Sequence, residues 1–555
     1  MTHMTKKDYF CMGTLMLIFA ILVFFRLGNA YAPETYHTTS PDNRDIILDF
    51  GEYISISTME AFLGNLDNRS VSISVFNEVT GEWEVINGEH KIVSVFQWNE
   101  IPIHYYTRYL GFVFLDESAV INEFVFFDQN GEILTPANTG EYPTLFDEQD
   151  MFPDTVTYLC GTMFDEIYHG RTGYEFLHNL RTYETTHPHL GKILISLGIA
   201  IFGMNPFGWR FMSAIFGILI IGVMYLFAKK LFGNTFIATA TAGLFTFDCM
   251  HYTLSRIATI DIFAAFFILL MYYFMYEYMT NNQNLDFAHT TLSPKILMPL
   301  ALSGVCMAMG IATKWTGVYA GIGLAVLFFW YTLLHYPGKQ TLRLFIFCCV
   351  FFIAIPLLVY TLSFIPVVGY EESNLIQKTI DGSLSMFNYH SQLVAEHYYS
   401  SPFYEWPIIW MPLLYANDAV NDTYVSAISC MGNPAIWWPG IICILFILYR
   451  WIIRKDKKAG FLLIAYAAQY VPWMSVGRIT FIYHYFPAIL FVILMIGYTM
   501  QFIIDSFPKG KRTITVYLGI VLVVFFLFFP VISGTPLPLE WGLKLRWLKD
   551  WIIVL

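Results

Sequence analysis

Residues 215–228 read IFGILIIGVMYLFA, and residues 515–529 read TVYLGIVLVVFFLFF. Neither run holds a charge, and about 20 such residues in a helix cross the roughly 30 Å hydrocarbon layer of a bilayer. Similar windows, such as ILISLGIAIFG at 193–203, recur from residue 190 to the end of a 555-residue chain that is 56% hydrophobic and only 13% charged. A water-soluble chain of this length needs many more charges to cover its surface. These windows set the fold class: a polytopic α-helical membrane protein. The formal net charge of −11 sets nucleic acid aside as a partner.

Working outward, apolar segments fall near 190–205, 209–228, 235–253, 258–278, 296–313, 315–334, 343–366, 436–453, 460–475, 481–504 and 514–532. An apolar run also follows Lys6 and Lys7, ending in Phe-Phe-Arg with no small-x-small cleavage site, so residues 1–30 read as a retained first helix rather than a signal peptide. Lys6, Lys7, Lys229, Lys230, GKQTLR (338–343), RWIIRKDKK (450–458) and PKGKR (508–512) mark the cytoplasmic side. The opposite side then receives Arg210, the 367–435 loop, Arg478 and the tail 534–555. Parity requires one of the segments not to cross. The short 190–205 segment is read as lying in or dipping into the membrane, which leaves about 11 transmembrane helices; merging of two neighbouring segments is the alternative.

Residues 31–155 follow another rule. DIILDFGEYISIS (45–57), VSISVFNEV (71–79), KIVSVFQW (91–98), IPIHYYTRYLGFVFLD (101–116) and VINEFVFFDQNGEIL (120–134) are short alternating runs. Turn signals GNLDN (64–68), NGEH (87–90) and DQNG (128–131) separate them. The pattern predicts an extracytoplasmic β-sandwich of about eight strands, jelly-roll-like. Trp83, Trp98, Tyr105 and Tyr106 either present a sugar-binding surface or fill the core. Of eight cysteines, only Cys160 and Cys430 fall in predicted external loops, where pairing is open to them.

Ionisable groups in or beside spans are costly and tend to mark function. On the external side the chain gathers Asp165, Glu166, His169, Arg171, His187, His189, Lys192, Arg210, Arg256, Asp261, Lys314, Arg478 and His484. Together they predict one hydrophilic cavity opening outward. Each cation can also be a snorkelling anchor, but converging cations suit the phosphate of an anionic lipid. FDEIYHG (164–170) supplies two acids, readable as a general base with its partner or as first-turn acids of a helix. THPHLGK (186–192) matches no standard zinc spacing, so no metal site is assigned.

These stretches resemble the protein O-mannosyltransferases and their bacterial relatives, phospholipid-carrier-dependent enzymes of the GT-C glycosyltransferase fold. FDEIYHG is similar to the family's acidic motif in the first external loop, and THPHLGK to its His-Pro-Pro-Leu-Gly-Lys stretch, with His189 in place of a proline. WRFMSAIFG (209–217), SRIATIDIF (255–263), ATKWTGVY (312–319), SPFYEWPI (401–408), NPAIWW (433–438) and FIYHYFPAI (481–489) continue the likeness in order. The resemblance implies an inverting transfer of a sugar, with mannose the one it points to, from a polyprenyl-phosphate carrier to a hydroxyl on protein, glycan or lipid. It implies Asp165 as base with Glu166 beside it, and Arg210, Lys314, Arg478, His484 and Tyr485 at the carrier phosphate. His187, Lys192, Arg256 and Asp261 are candidate substrate-binding residues. No cofactor is expected, because a phosphate leaving group needs cationic stabilisation; a divalent ion is left open. The eukaryotic MIR domain has no room in residues 367–435.

The expected organisation is a multi-pass cell-membrane enzyme with its N-terminus in the cytoplasm. After the first helix and the sandwich come a catalytic membrane core at 156–366 with the acidic loop, an external loop at 367–435, C-terminal helices at 436–533 and an external tail at 534–555. The partners are a polyprenyl-phosphate-linked sugar, a hydroxyl acceptor and membrane lipid; neither the acceptor nor the oligomeric state is legible. A transporter or flippase of lipid-linked saccharides is the rival from another class; it calls for paired repeat-related broken helices, which the sequence lacks. A sugar-sensing receptor is a second, and the short cytoplasmic loops disfavour it.

Overall fold

The computed structural model describes residues 4–64, 69–92, 94–115, 119–281, 293–335, 338–371 and 374–555. The GNLDN turn signal lies almost wholly outside them. The chain forms two compact units: Gly28–Tyr174 with Gly198–Trp209, and Met1–Leu27 with Glu175–Leu197 and Arg210–Leu555.

The first unit is built on two long strands, β2 (Asp45–Leu63) and β5 (Trp98–Phe114), paired antiparallel from Asp45↔Val113 to Phe62↔Trp98. The ladder breaks between Asp49 and Ile54 and again between Ile56 and Thr58. Gly51, at φ +79°, accepts the left-handed backbone that such a bulge demands. The two ends of the ladder therefore carry different neighbours. β6 (Val120–Phe127) pairs with Thr58–Leu63, and β1 (His37–Thr38) and β7 (Ile133–Leu134) flank β6. β3 (Arg69–Asn77) pairs with Leu110–Phe114, and β4 (Glu82–Ile92) with β3.

The sheet folds over on itself, so that Phe112 at one end meets Phe124 and Phe126 at the other, with ring centroids 5.5 and 6.2 Å apart. Phe50 closes on Phe126 at 5.5 Å. The expected sandwich is thus built from one continuous seven-stranded sheet, in the order β1-β6-β2-β5-β3-β4 with β7 paired to β6 off this path. The reason is the bulges: they bend two strands so far that each serves both layers. Trp98 is core, packed on Phe62 and Phe152, whereas Trp83 and Tyr106 stay exposed.

The second unit is helical. Its helices are α1 (Lys6–Phe24), α4 (Pro206–Phe232), α5 (Thr235–Thr246), α6 (Cys249–Leu254), α7 (Asp261–Asn281), α8 (Pro294–Thr313), α9 (Thr316–His335), α10 (Gly338–Cys349), α11 (Ile355–Leu362) and α12 (Ile365–Glu371). Then come α13 (Leu375–Gln392), α14 (Pro434–Arg454), α15 (Lys457–Tyr470), α16 (Phe486–Ser506), α17 (Gly510–Ser533) and α18 (Leu539–Lys544). Between α1 and α4 the chain forms α2 (Glu166–Leu177) and α3 (Leu190–Phe202). Eight helical stretches among the described residues are long and apolar enough to cross a membrane. α3 has 13 residues, about 20 Å, too short to cross by itself.

Several expected segments are subdivided. The 235–253 run breaks at Phe247 and Asp248, where the Asp248 carboxylate accepts the His251 N–H at 3.0 Å and starts α6. The 343–366 run contains a π-helical turn, Val350–Ala354, before Pro356. Residues 367–435, expected as a loop, contain the amphipathic α13 and a hairpin of β8 (Leu413–Ala419) and β9 (Tyr424–Cys430). The tail is not free: β10 (Leu537–Pro538) pairs with β9, and Trp551 is fully buried. Cys160 and Cys430 are not joined in a disulfide, and Cys160 gives its Sγ–H to the Thr157 carbonyl.

One end of this unit collects the cations that the charge pattern grouped. Lys229 pairs with Asp8 at 3.0 Å, Lys458 donates to the Leu231 carbonyl at 2.7 Å, and Lys511 lies 5.1 Å from the Phe236 ring. Arg256 ties helix termini together, donating to the carbonyls of Phe25 and Arg26 after α1 and of Ser533 at the end of α17. Carbonyls left over at helix C-termini are natural partners for a guanidinium.

Candidate active site

The FDEIYHG motif lies in the first unit, on a loop fastened to the sheet. Asn29 N–H donates to the Leu159 carbonyl at 2.8 Å, and the Thr162 hydroxyl donates to Gln97 Oε1 at 2.8 Å. Gly161 lies against Gln97, where a Cβ would stand 3.0 Å from the Gln97 Cβ. Phe164 adopts a left-handed backbone at φ +49°, which costs a bulky residue about 1–2 kcal/mol. That turn delivers Asp165 to the N-terminus of α2, where its carbonyl accepts the N–H groups of Tyr168 and His169.

The adjacent acids then part ways. Glu166 is fully buried and its Oε2 accepts the Met163 N–H at 2.9 Å, while its own N–H donates to the Met163 carbonyl at 3.1 Å. This reciprocal closure is what a capping box achieves. Asp165 is only partly buried. The first-turn reading therefore describes Glu166, and Asp165 is the less buried of the two acids.

In the helical unit a cavity of about 650 Å³ is walled by His187 and Pro188, Lys314 and Trp315 between α8 and α9, Phe387 and His390 of α13, and Trp473 and Arg478. Three expected site residues, His187, Lys314 and Arg478, thus come together. Lys314 is the residue just past α8, in extended backbone that swings its ammonium onto Asp261 Oδ1 at 2.7 Å and to 5.3 Å from the Tyr483 ring. Asp261, first residue of α7, is the buried counter-charge that aims Lys314.

His187 is set by Glu184, whose Oε1 lies 3.2 Å from Nδ1. Glu184 also pairs with Lys192, which donates further to the carbonyls of Glu184 at 3.0 Å and His187 at 2.9 Å. Lys192 is fully buried and does not line the cavity; it knots the THPHLGK turn. His189 does not join His187: its ring packs between Phe176 and Phe364, where an imidazole can stand in for the family's proline as an apolar filler. His484 meets Trp473 edge-to-face at 4.4 Å, behind the cavity wall, and Tyr485 is buried with its hydroxyl on Tyr466. Arg210 is fully buried, with Nη1 donating to the Leu27 carbonyl at 2.9 Å.

Sequence reasoning missed Glu184 and His390. Glu184 could have been found three residues before His187 and eight before Lys192. His390 could not, because its position depends on residues 375–392 being a helix. Its Nε2 donates to the Thr186 carbonyl at 2.8 Å, and burial, then the positive neighbours His187 and Arg478, push its pKa down to about 4. It is a neutral group in a wall otherwise supplied with cations. The cavity thus combines an ammonium and a guanidinium, suited to a phosphate, with Trp315 and Trp473, whose faces suit a sugar or a prenyl chain.

Two family models match the chain. Residues 200–368 match the model described as dolichyl-phosphate-mannose-protein mannosyltransferase, and residues 375–551 that of the C-terminal four-transmembrane region of protein O-mannosyltransferase. Together they span more than half of the sequence. The polyprenol-phosphate-mannose–protein mannosyltransferase of Mycolicibacterium smegmatis strain MKD8 is 26% identical over 452 residues, covering 70% of this chain and 87% of that protein. The protein of the same name from Corynebacterium glutamicum is 25% identical over 427 residues, covering 66% and 81%. Among solved structures, the Saccharomyces cerevisiae protein O-mannosyltransferase Pmt1–Pmt2 complex bound to the sugar donor superposes with a TM-score of 0.61 at 15% identity, over 70% of this chain and 89% of that one.

Proposed function

Since the chain belongs to the protein O-mannosyltransferase family of GT-C glycosyltransferases, we propose that it moves mannose from a polyprenyl-phosphate carrier to a hydroxyl of a protein acceptor on the extracytoplasmic face of the cell membrane. The observation that carries this reading is the convergence of Lys314, Arg478 and His187 on one cavity with Trp315 and Trp473. Carrier phosphate sits against the two permanent cations, and the sugar lies on the aromatic wall. A flippase needs no group that takes a proton from an acceptor, and the relatives named above are transferases.

The reaction is an inverting substitution. The acceptor hydroxyl oxygen attacks the anomeric carbon and forms a new C–O bond. The bond from that carbon to the phosphate oxygen breaks, and its electron pair leaves with the polyprenyl phosphate. The hydroxyl proton passes to Asp165. Lys314 and Arg478 stabilise the charge that grows on the phosphate, in the manner of a preorganised oxyanion site. Glu166, held on the Met163 backbone, shapes the turn that presents Asp165. Arg210 is a further candidate for the carrier phosphate. The lipid-linked sugar is a substrate, and the step as written asks for no cofactor.

The test is transfer in vitro from polyprenyl-phosphate mannose to a Ser/Thr-rich peptide by the purified full chain. Transfer by the native protein and none by Asp165→Asn is the expected result. No consumption of any polyprenyl-phosphate sugar by the native protein would overturn the reading.

A further inference from the structure

The first unit holds a second cluster of unusual charge. Glu123 of β6, Asp147 and Glu148 each place a carboxylate oxygen within 4.8 Å of the others. Among the described residues no Lys or Arg forms an ion pair with any of the three. Glu123 is fully buried, and its Oε1 has no hydrogen-bond partner at all. A buried carboxylate oxygen left without donor or counter-charge is expensive, by more than the 1–3 kcal/mol of an unmade neutral hydrogen bond. The neighbouring acids make it worse, because like charges in one place repel.

We propose that Glu123, Asp147 and Glu148 form a divalent-cation site of the calcium class in the β unit. Calcium takes oxygen ligands at about 2.3–2.6 Å, so oxygens up to about 4.8 Å apart can share one ion. The donor set is all carboxylate, which suits a hard cation and not zinc or copper. The ligands come from a strand and a turn rather than a rigid octahedral cage, which favours calcium over magnesium. Asp147 is exposed and Glu148 half-buried, giving the ion a way in, while Glu123 forms the floor.

The rest of the site is already fixed in place. Glu148 N–H donates to Glu123 Oε2 at 3.0 Å, and the Thr35 hydroxyl donates to Asp147 Oδ1 at 2.9 Å. Glu148 Oε2 accepts the N–H groups of Glu34 at 2.8 Å and Thr35 at 3.0 Å. These bonds leave other oxygens of Asp147 and Glu148 for the ion. The cation would join the segment before β1, strand β6 and the turn that opens the stretch running to Phe164 and Asp165. It is thereby a brace for the loop that carries the acidic motif.

The full chain is purified in detergent, stripped with EGTA, and its thermal unfolding followed by intrinsic fluorescence with CaCl2 or MgCl2 added. Calcium at 1 mM should raise the midpoint by about 3 °C or more, as expected for a ligand well above its Kd, and magnesium by less. Asp147→Asn, at an exposed position, should keep the EGTA midpoint of the native chain but need about tenfold more calcium. Glu123→Gln should abolish the calcium response; Glu148→Gln serves if that variant does not fold. A native midpoint indifferent to calcium, or an undiminished calcium shift in these variants, overturns the proposal. Stabilisation by Glu123→Gln in a calcium-blind protein would identify a buried neutral acid instead.

Discussion

Lys314 donates to Asp261 Oδ1 at 2.7 Å, and both side chains are nearly buried where the end of α8 meets the start of α7. This pair converts a flexible side chain into a fixed cation at the wall of the cavity. Lys314→Ala removes the cation and strands Asp261, a change that typically costs 3–5 kcal/mol for a buried pair. Lys314→Met with Asp261→Leu removes both charges and should recover most of that stability. Neither protein should transfer sugar at more than about a hundredth of the native rate, since losing one oxyanion-type donor costs about 10²–10³ in kcat. Thermal midpoints and transfer rates, measured on both, separate folding from chemistry.

Arg478 lines the same cavity and is partly exposed, so its loss should not disturb the fold. Arg478→Ala should raise KM for the carrier sugar at least tenfold with the midpoint of unfolding within about 1 °C of native. Arg478→Lys should recover only part of the affinity, because an ammonium cannot reproduce a two-pronged contact. An unchanged KM in the alanine variant removes Arg478 from the phosphate site.

The acids of FDEIYHG should separate by substitution. Asp165→Asn should keep the fold and lose transfer, with a fall of 10²–10⁴-fold typical of a missing general base. Glu166→Gln keeps an oxygen for the Met163 N–H and should retain measurable activity; Glu166→Ala, which leaves that N–H without its partner, should lower stability by about 1–2 kcal/mol. Equal losses of transfer in Asp165→Asn and Glu166→Gln, at equal stability, would contradict this division of labour.

Lys192 predicts a stability effect rather than a binding one. Lys192→Ala leaves the buried Glu184 carboxylate without its ammonium and should cut the midpoint of unfolding or the yield of folded protein sharply. A variant that folds as the native chain does and shows only a raised KM for the carrier sugar would assign Lys192 to substrate instead.

Glu60 in β2 faces Glu100 of β5 across the ladder. Burial, and then the Glu100 charge, push its pKa up to about 7. An acid with a raised folded pKa is protonated in the folded chain and ionised in the unfolded one between about pH 4.5 and 7. Unfolding there releases a proton, so stability falls as pH rises through that window and levels off above it. Glu60→Gln should match the native chain at pH 5 and exceed it at pH 8 by on the order of 2 kcal/mol. Unfolding at the two pH values checks the sign as well as the size.

Residues such as 215–228 and 515–529 settle the membrane class from sequence, because a long run without charge has no stable place except lipid or a helical core. The alternating runs between 45 and 134 settle antiparallel strands for the same kind of reason: period two buries one face. Grouping of Lys229, Lys458 and Lys511 at one end was also legible, since each follows or precedes an apolar run. Local motifs marked Lys314 and His187, and the external charge pattern marked Arg478; the cavity does bring the three together.

Tertiary structure decided the rest. Bulges beside Gly51 make one folded sheet out of what reads as two, because strand pairing is set by partners distant in sequence. Arg256 and Lys192 read as substrate contacts while their donors go to helix-end carbonyls and to Glu184, partners that no spacing reveals. His390 reaches the cavity only because residues 375–392 are helical, and Glu123 meets Asp147 and Glu148 only through the folded sheet. Sequence determines which groups a chain cannot leave in lipid or water unsatisfied; which other group satisfies them is settled by packing across long separations.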